Sequence, residues 1–519
     1  MDTAPLQTDG LTGSRLDDLL STTVSVVIID GSHQDHTRAK LALVVKELLH
    51  CLNVPLTTHV ALAPKRVCVV GGGFCPEFRQ DLVRAAEACA IKLVVIDKPG
   101  HWAESSQGCC EAFLPVDMST DDELDCRIAA ACEASGLNFD GITSFSDSYH
   151  VSTVKAALQL GLTANPPSAY DTCTDKTKFR ERFPIAGYQS FSIESMDDFR
   201  HKKEELAVQL PVITKPRNGG NSAGVSKAES LAEAETLVKS LLRSGPVVLV
   251  EKYIDGPEVD VDVVLVDGEV VFHDISDMVP CSAESESGAH SQAPVSFLET
   301  EVMWPSRLPA TEQKLLLDNA KDALAKLGFK NGVFHIEARV NNSSMCWTWP
   351  KTSDSQGESQ PSLEPRAVNG EDDAVNPVLI EINPRCIGYP GQPSISSCYG
   401  IDCALIQLLL CIPDVDRARH LSQQYASSQD TSVVTQCIIA PRGGVFYGEK
   451  MFSDLMARRR DLADSLVASL CFFKDGATVR VPSERASWIA FWTVRSNEGR
   501  TKAMRISDEI KHELTYEIR

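Results

Sequence analysis

No Cys-x-x-Cys pair occurs among the seventeen cysteines of this 519-residue chain, so neither a zinc ribbon nor a thioredoxin-type motif can be assembled. Basic residues are also short. Fifty Lys and Arg stand against 71 Asp and Glu, a formal net charge of −21, so neither nucleic acid nor an anionic membrane is an expected partner. The most apolar stretch, Ala404 to Ile412, is about half of what a bilayer span needs. Met1 to Leu20 has no basic n-region and no apolar h-region, so no secretory signal is expected. Scattered cysteines without such a signal fit reduced thiols in a cytoplasmic protein. Glycine and proline, 31 and 27 residues, are too few for a collagen or low-complexity chain. No internal repeat is visible.

What is present is ordinary globular texture, 43% hydrophobic and 23% charged, with length for three or four structural units. The first third alternates strands and helices. Val24–Ile29 is a strand and Thr37–His50 an amphipathic helix. Val67–Val70, a glycine turn and a helix from Glu77 to Ala90 follow; then come strand Lys92–Ile96, helix Asp121–Ser135 and strand Phe139–Phe145. That order predicts βαβ units on a parallel sheet. After Pro166-Pro167 the strands come in pairs, Val247–Ile254 with Val259–Val266 and then Val270–Ile275, the last two separated by Asp267-Gly268; this is antiparallel α+β texture. Cys281–Pro294, rich in Ser, Glu and Ala, and the polar stretch Lys351–Asn376 are expected to be mobile, the second being too poor in apolar residues to pack. Beyond Pro413 strands are expected at Val433–Ile439 and Ser487–Val494, with no chemical motif.

The motifs are individually weak. A dinucleotide fingerprint from Gly71 would need glycines at 71, 73 and 76, but position 76 is proline, so a tight turn is preferred over an anion site. A strand delivers Lys215 to a loop containing Gly219, Gly220, Ser222 and Gly224; successive backbone N–H groups beside a lysine suit phosphate oxygens, and a plain turn reads as well. From Glu258 the chain alternates, placing Glu258, Asp260 and Asp262 on one face against Val259, Val261 and Val263. That face is either a solvated edge or, with Glu251–Ile254 as a linker, a place for a base and sugar hydroxyls. Two later strands carry His335, Glu337 and Arg339, then Glu381, Asn383 and Arg385, at alternate positions. Glu337, Glu381 and Asn383 are the oxygen ligands that Mg²⁺ takes while keeping room for phosphates, and Arg385 could hold an anionic intermediate. A structural ion pair among these groups is the alternative.

The ordered set Asp175-Lys176, Lys215 with its loop, Glu251-Lys-Tyr-Ile254 to Glu258, Glu337, and Glu381-Ile-Asn-Pro-Arg385 resembles the ATP-grasp superfamily, and within it carboxylate–amine ligases of the L-amino-acid ligase and carnosine synthase type. The resemblance covers roughly residues 60 to 413. It implies an α/β and α+β fold in five parts: an N-terminal extension with one βα unit (1–60), a Rossmann-like pre-ATP-grasp domain (61–170), a small lid subdomain (171–254), a core with the metal site and a disordered loop at 351–376 (255–413), and a C-terminal lobe (414–519). It places Lys176 and Lys215 on the phosphates of ATP, and Ser222, Gly224 and Val225 in the lid loop. The linker Glu251, Tyr253 and Ile254 would meet the adenine, and Glu258 the ribose. Glu337, Glu381 and Asn383 would hold one or two Mg²⁺ ions, with Mn²⁺ the substitute, and Arg385 would act on the acyl phosphate. The implied activity joins a carboxylate, expected to be an amino acid, to an amine with release of ADP and phosphate, in a chain that could pair as a homodimer. A biotin-dependent carboxylase subunit and a catalytically silent nucleotide-binding regulator are the alternatives. Glu337 and Glu381 lie 44 positions apart, wider than the family's usual hairpin, and the polar run from Lys351 accounts for the excess.

Overall fold

The structure is a computed structural model describing residues 63–73, 76–106, 108–284, 296–349, 361–366, 374–424, 431–481 and 488–519. The expected strand Val24–Ile29 and helix Thr37–His50 lie outside the described residues.

Apolar runs build the first unit. Strands β1 (Lys65–Val70), β2 (Ile91–Asp97), β3 (Ala112–Pro115) and β4 (Gly141–Ser144) lie parallel in the order β3-β2-β1-β4. Alternate residues serve opposite faces: Val67 and Val69 pack with Leu82 and Ala86 of the helix Glu77–Ala88. Cys68 and Val70 pack with Ile128 and Cys132 of the helix Leu124–Ala134. A sheet covered on both sides has no polar face, which is why these strands read as unbroken apolar runs.

The second unit is antiparallel, but the expected pairing of Val247–Ile254 with Val259–Val266 does not form. The first strand joins this sheet and the second joins a longer one, because the Gly256-Pro257 segment crosses between sheets instead of closing a hairpin. Strands β5 (Phe191–Ile193), β6 (Val212–Pro216), β7 (Ser226–Ala228) and β8 (Val248–Lys252) take the order β5-β8-β6-β7. The helix Leu231–Leu241 starts in a capping box between Ser230 and Glu233 and buries Ala234 and Val238 against them.

The third sheet starts with β9 (Glu258–Val266) and β10 (Glu269–Met278). Asp267 and Gly268 join them with φ of +53° and +82°, the pair of left-handed residues that a type I′ hairpin needs. β11 (Glu301–Trp304), β12 (Gly332–Asn341), β13 (Met345–Thr348), β14 (Ser362–Pro365), β15 (Asn376–Asn383), β16 (Ser432–Ile439), β17 (Gly444–Tyr447), β18 (Leu466–Cys471), β19 (Thr478–Val479), β20 (Trp488–Ser496) and β21 (Glu517–Ile518) follow. Eight of these strands share one sheet, ordered β15-β12-β9-β10-β11-β16-β20-β18. The helix Ala310–Leu327 lays Leu316, Ala320, Ala323 and Leu324 on one face of it. The helix Arg500–Glu513 covers β16 and β20 with Met504, Ile506 and Ile510. The apolar run around Ala404 is the helix Cys403–Cys411, whose first eight residues are all buried; it packs the parallel sheet onto the long one. No single helix among the described residues is long and apolar enough to cross a membrane.

The polar stretch Lys351–Asn376 departs from expectation. Its described residues 361–366 contain β14, which pairs with β13 and sets Leu363 opposite Trp347. Leu363 is only 3% exposed. One leucine among serines and glutamates suffices, because Met345 and Trp347 give it an apolar neighbour that composition averages hide. Leu363→Ala should therefore lower unfolding free energy by about 2–3 kcal/mol in urea titration; a change below about 0.5 kcal/mol would return the segment to the solvated class.

Candidate active site

Strand alternation sends one set of side chains from β9, β12 and β15 into the helix-covered core and the other set into a polar face. In register, Glu258, Asp260 and Asp262 of β9 stand beside Arg339, Glu337 and His335 of β12. On the far side of β12, β15 places Glu381 beside Glu337 and Asn383 beside His335. On the other flank β10 adds Asp274 beside Asp262 and Ser276 beside Asp260. The solvated-edge reading of this acidic strand is wrong: β9 lies inside the sheet, and Asp260 and Asp262 are each 1% exposed.

So much buried negative charge needs compensation. His335 Nδ1 lies 3.2 Å from Asp262 Oδ1, and its Nε2 lies 3.9 Å from Asp260 Oδ1. Burial alone would lower the imidazole's pKa; the two aspartates outweigh it and raise it to about 10, so His335 is an imidazolium at neutral pH. Burial, then Glu381 and Glu299, push Glu337 up to about 8. Burial likewise pushes Asp274 up to about 7, even though Tyr399 donates to it.

The cations expected on the phosphates come from two neighbouring elements. Asp175 caps the helix Lys176–Arg182 by accepting from the Thr177 and Lys178 amides, which fixes Lys176 at its start. Lys176 Nζ donates to Gly219 O (2.7 Å) and pairs with Glu381 Oε1 (3.1 Å). Lys215 leaves β6 and pairs with Glu251 Oε1 at 2.6 Å, while Arg180 Nε meets Glu251 Oε2 at 2.6 Å. All three are buried. Burial opposes the Glu251 charge, but Arg180 and Lys215 hold its pKa down at about 2, so this carboxylate is committed to two cations. The loop between β6 and β7 is a pair of turns, with Ala223 N donating to Gly220 O and Val225 N to Ser222 O. Asn221 and Ser222 sit at φ of +52° and +51°, and Gly224 at +76°. Non-glycine residues seldom adopt that region outside tight turns.

Glu258 is also engaged. Arg339 Nε donates to its Oε2 at 2.8 Å, and the same guanidinium bonds Ile254 O (3.0 Å), the Tyr253 hydroxyl (3.1 Å) and Glu284. Tyr253 in turn donates to Glu284 Oε1 at 2.9 Å. Glu284 belongs to the segment Cys281–Pro294, expected from its Ser, Glu and Ala content to be mobile; its described residues, 281–284, dock into the site. Arg385 binds neither Glu337 nor Glu381, the partners an ion pair among the motif residues would supply. Its Nε and Nη2 grip Asp147. Arg339 was legible as sharing a face with Glu337. Arg180, Glu284 and Asp147 carried no signal, since each meets its partner only through the fold.

Glu337, Glu381 and Asn383 do come together, and the fit to a divalent ion can be judged from the charges. Two carboxylates face each other across neighbouring strands, a destabilising pairing unless a cation lies between, and Lys176 supplies one such charge to Glu381. Among the described residues no cluster of three or more His, Cys, Asp or Glu could hold a metal unaided. Two carboxylates and one amide oxygen suit Mg²⁺, which takes its remaining ligands from phosphate and water.

Two family models match the chain, the ATP-grasp N-terminal domain over residues 83–163 and the D-ala D-ala ligase C-terminus over residues 181–343. The sequence is 34% identical over 444 residues to the ATP-grasp enzyme fsqD of Aspergillus fumigatus, covering 83% of this chain and 75% of that protein. It is 25% identical over 443 residues to carnosine synthase 1 of Gallus gallus, covering 80% of this chain but 42% of that longer protein. The crystal structure of L-amino acid ligase from Bacillus licheniformis superposes with a TM-score of 0.67 at 15% identity, over 88% of this chain and all of that one.

The elevated pKa of His335 makes its contribution to stability depend on pH. A group whose folded pKa lies above its unfolded value stabilises fully below the unfolded value, about 6.5, and loses that effect as pH rises through the folded one. In ligand-free protein, the stability gap between wild type and His335→Gln should be widest near pH 6 and shrink steadily toward pH 10, where the histidine deprotonates. Urea titrations at pH 6, 8 and 9.5 measure it; a gap that stays constant or grows with pH would refute the imidazolium.

Proposed function

The chain belongs to the ATP-grasp superfamily, and we propose that it is an ATP-dependent ligase that forms amide bonds, its acid substrate an amino acid activated as an acyl phosphate over Glu337, Glu381 and Asn383. The observation that carries this reading is the half-buried, in-register pairing of Glu337 with Glu381 beside Asn383. A carboxylate oxygen takes the terminal phosphoryl group of ATP and ADP leaves; the amine then attacks the acyl carbon, losing a proton as phosphate departs. Mg²⁺ held by Glu337, Glu381 and Asn383, or Mn²⁺ in its place, would neutralise phosphate charge during both steps.

The chain's own groups do the rest by positioning and charge. Lys176 and Lys215 hold phosphate oxygens, and Lys176 does so by exchanging Glu381 for the nucleotide. The turns at Ser222, Gly224 and Val225 close over the phosphates through backbone N–H groups. Glu251, Tyr253 and Ile254 line the base, with Glu251 acting through its backbone because its carboxylate is held by Arg180 and Lys215. Glu258 meets the ribose, oriented by Arg339. Arg385 presents its remaining donors to the acyl phosphate.

The test is ADP release with ATP, Mg²⁺ and amino acids supplied singly and in pairs, followed by mass analysis of the product. Release that needs an amino acid, with a dipeptide formed, supports the reading; release that needs bicarbonate and no amine would replace it with carboxylation. Glu381→Gln should cut turnover by about 10²-fold or more, since several kcal/mol of charge stabilisation pass through this ligand, with the thermal midpoint kept within a few degrees. Near-wild-type turnover at saturating Mg²⁺ would remove Glu381 from the metal site.

A further inference from the structure

Arg385 is placed by a group from a different part of the chain. Asp147 opens the single turn Asp147–Tyr149 that follows β4, at the carboxyl end of a parallel strand where open α/β sheets collect their functional groups. Arg385 Nε lies 2.9 and 3.1 Å from its two oxygens, and Nη2 lies 2.7 Å from Oδ2. Nη1 donates to Cys386 O at 3.0 Å. A guanidinium has five N–H donors in one plane. Asp147 and Cys386 engage three of them, leaving one donor on each terminal nitrogen without a partner among the described residues. The carboxylate thus fixes the plane and direction of the pair that remains.

A second tie runs through Gln407, a buried residue of the helix Cys403–Cys411. Its Oε1 accepts from Cys386 N at 3.0 Å, and its Nε2 donates to Thr143 Oγ1 (3.0 Å) and Ser144 O (2.9 Å). The backbone beside Arg385 and the strand end that carries Asp147 are thereby locked to one amide. Behind Asp147, His150 Nε2 stands 3.4 Å from its Oδ1. Burial opposes the charge on Asp147, yet Arg385 and His150 hold its pKa far below the ordinary carboxylate range. The pair's side chains are still 17% and 39% exposed, so the arginine's remaining edge is within reach of a ligand.

We propose that Asp147 is a positioning residue for catalysis: it aims the free edge of Arg385 at the acyl phosphate and so makes the N-terminal α/β unit part of the catalytic apparatus. The inference rests on the role given to Arg385 above. Asp147→Asn keeps the size of the side chain and removes its charge. It should lower kcat and kcat/KM for the acid by about 10²-fold, the cost of a small misplacement in the site, while KM for ATP changes less than about twofold. Asp147→Glu should recover part of the loss. In a double-mutant cycle, adding Asp147→Asn to Arg385→Lys should slow the enzyme by no more than about threefold further, because both substitutions remove one effect.

Losses that multiply would show that Asp147 does not act through Arg385, and a kinetically silent Asp147→Asn would overturn the proposal outright. If Asp147→Asn fails to fold, Asp147→Ser, which also removes the carboxylate, carries the same kinetic reading, and a folded Asp147→Ser with wild-type kinetics is then the refuting result. An impaired Arg385→Lys beside a silent Asp147→Asn sinks only the positioning role. A silent Arg385→Lys removes the catalytic arginine, and this inference with it.

Discussion

Carboxylates crowded on a buried sheet face are the condition to which the rest of the molecule answers. Glu258, Asp260, Asp262, Asp274, Glu337 and Glu381 occupy one side of four neighbouring strands, in surroundings where an uncompensated charge is either neutralised or paired. His335 and Arg339 answer from within the sheet. Lys176 arrives from a helix start and Arg385 from just past the end of β15. The arrangement exists because a strand repeats every two residues: the alternation that puts acids on this face puts valines and Phe334 under the helix Ala310–Leu327. A slip of one residue would invert both faces, so the apolar core enforces the register of the chemistry.

The groups assigned to nucleotide, metal and substrate already hold one another. Lys176 holds Glu381, Lys215 holds Glu251, and Arg339 holds Glu258. Binding in such a site is a trade of partners more than the filling of an empty space. Each incoming phosphate or hydroxyl gains only the difference between its own bond and the ion pair it displaces, so the network favours ligands that answer several of its charges at once. Tyr253 and Glu284 extend the Arg339–Glu258 pair to the segment that follows β8.

The parts of this architecture that periodicity governs were legible in the sequence. Apolar runs marked β1, β2 and β4, the Asp267-Gly268 turn marked a hairpin, and alternation put Glu337, Glu381 and Asn383 on polar faces that meet in register. The match to a family came from the order of weak motifs, each of which had a structural alternative: a turn at Lys215, an edge strand at Glu258, an ion pair at Glu337 and Glu381. Legibility ended where a partner was supplied by the fold. Nothing near Glu251 in the sequence announces Arg180, and Asp147 is 238 positions from Arg385. The burial of Asp260 and Asp262 was hidden because alternation shows which residues share a face but not whether that face meets water. Leu363 was lost for the opposite reason, since averaging over a polar segment erased its one buried side chain.

The long sheet has a consequence for anyone exchanging parts among such proteins. The C-terminal strands β16, β20 and β18 continue the hydrogen-bonded ladder that begins at β15, joined through β11. A cut near residue 414, natural by sequence order, would separate β16 from β11 and leave both with open edges, which invite pairing with other chains. The C-terminal region is therefore not an interchangeable cassette. A graft that preserves this scaffold must carry β11, β16 and the helix Arg500–Glu513 together, because they fold as one layer.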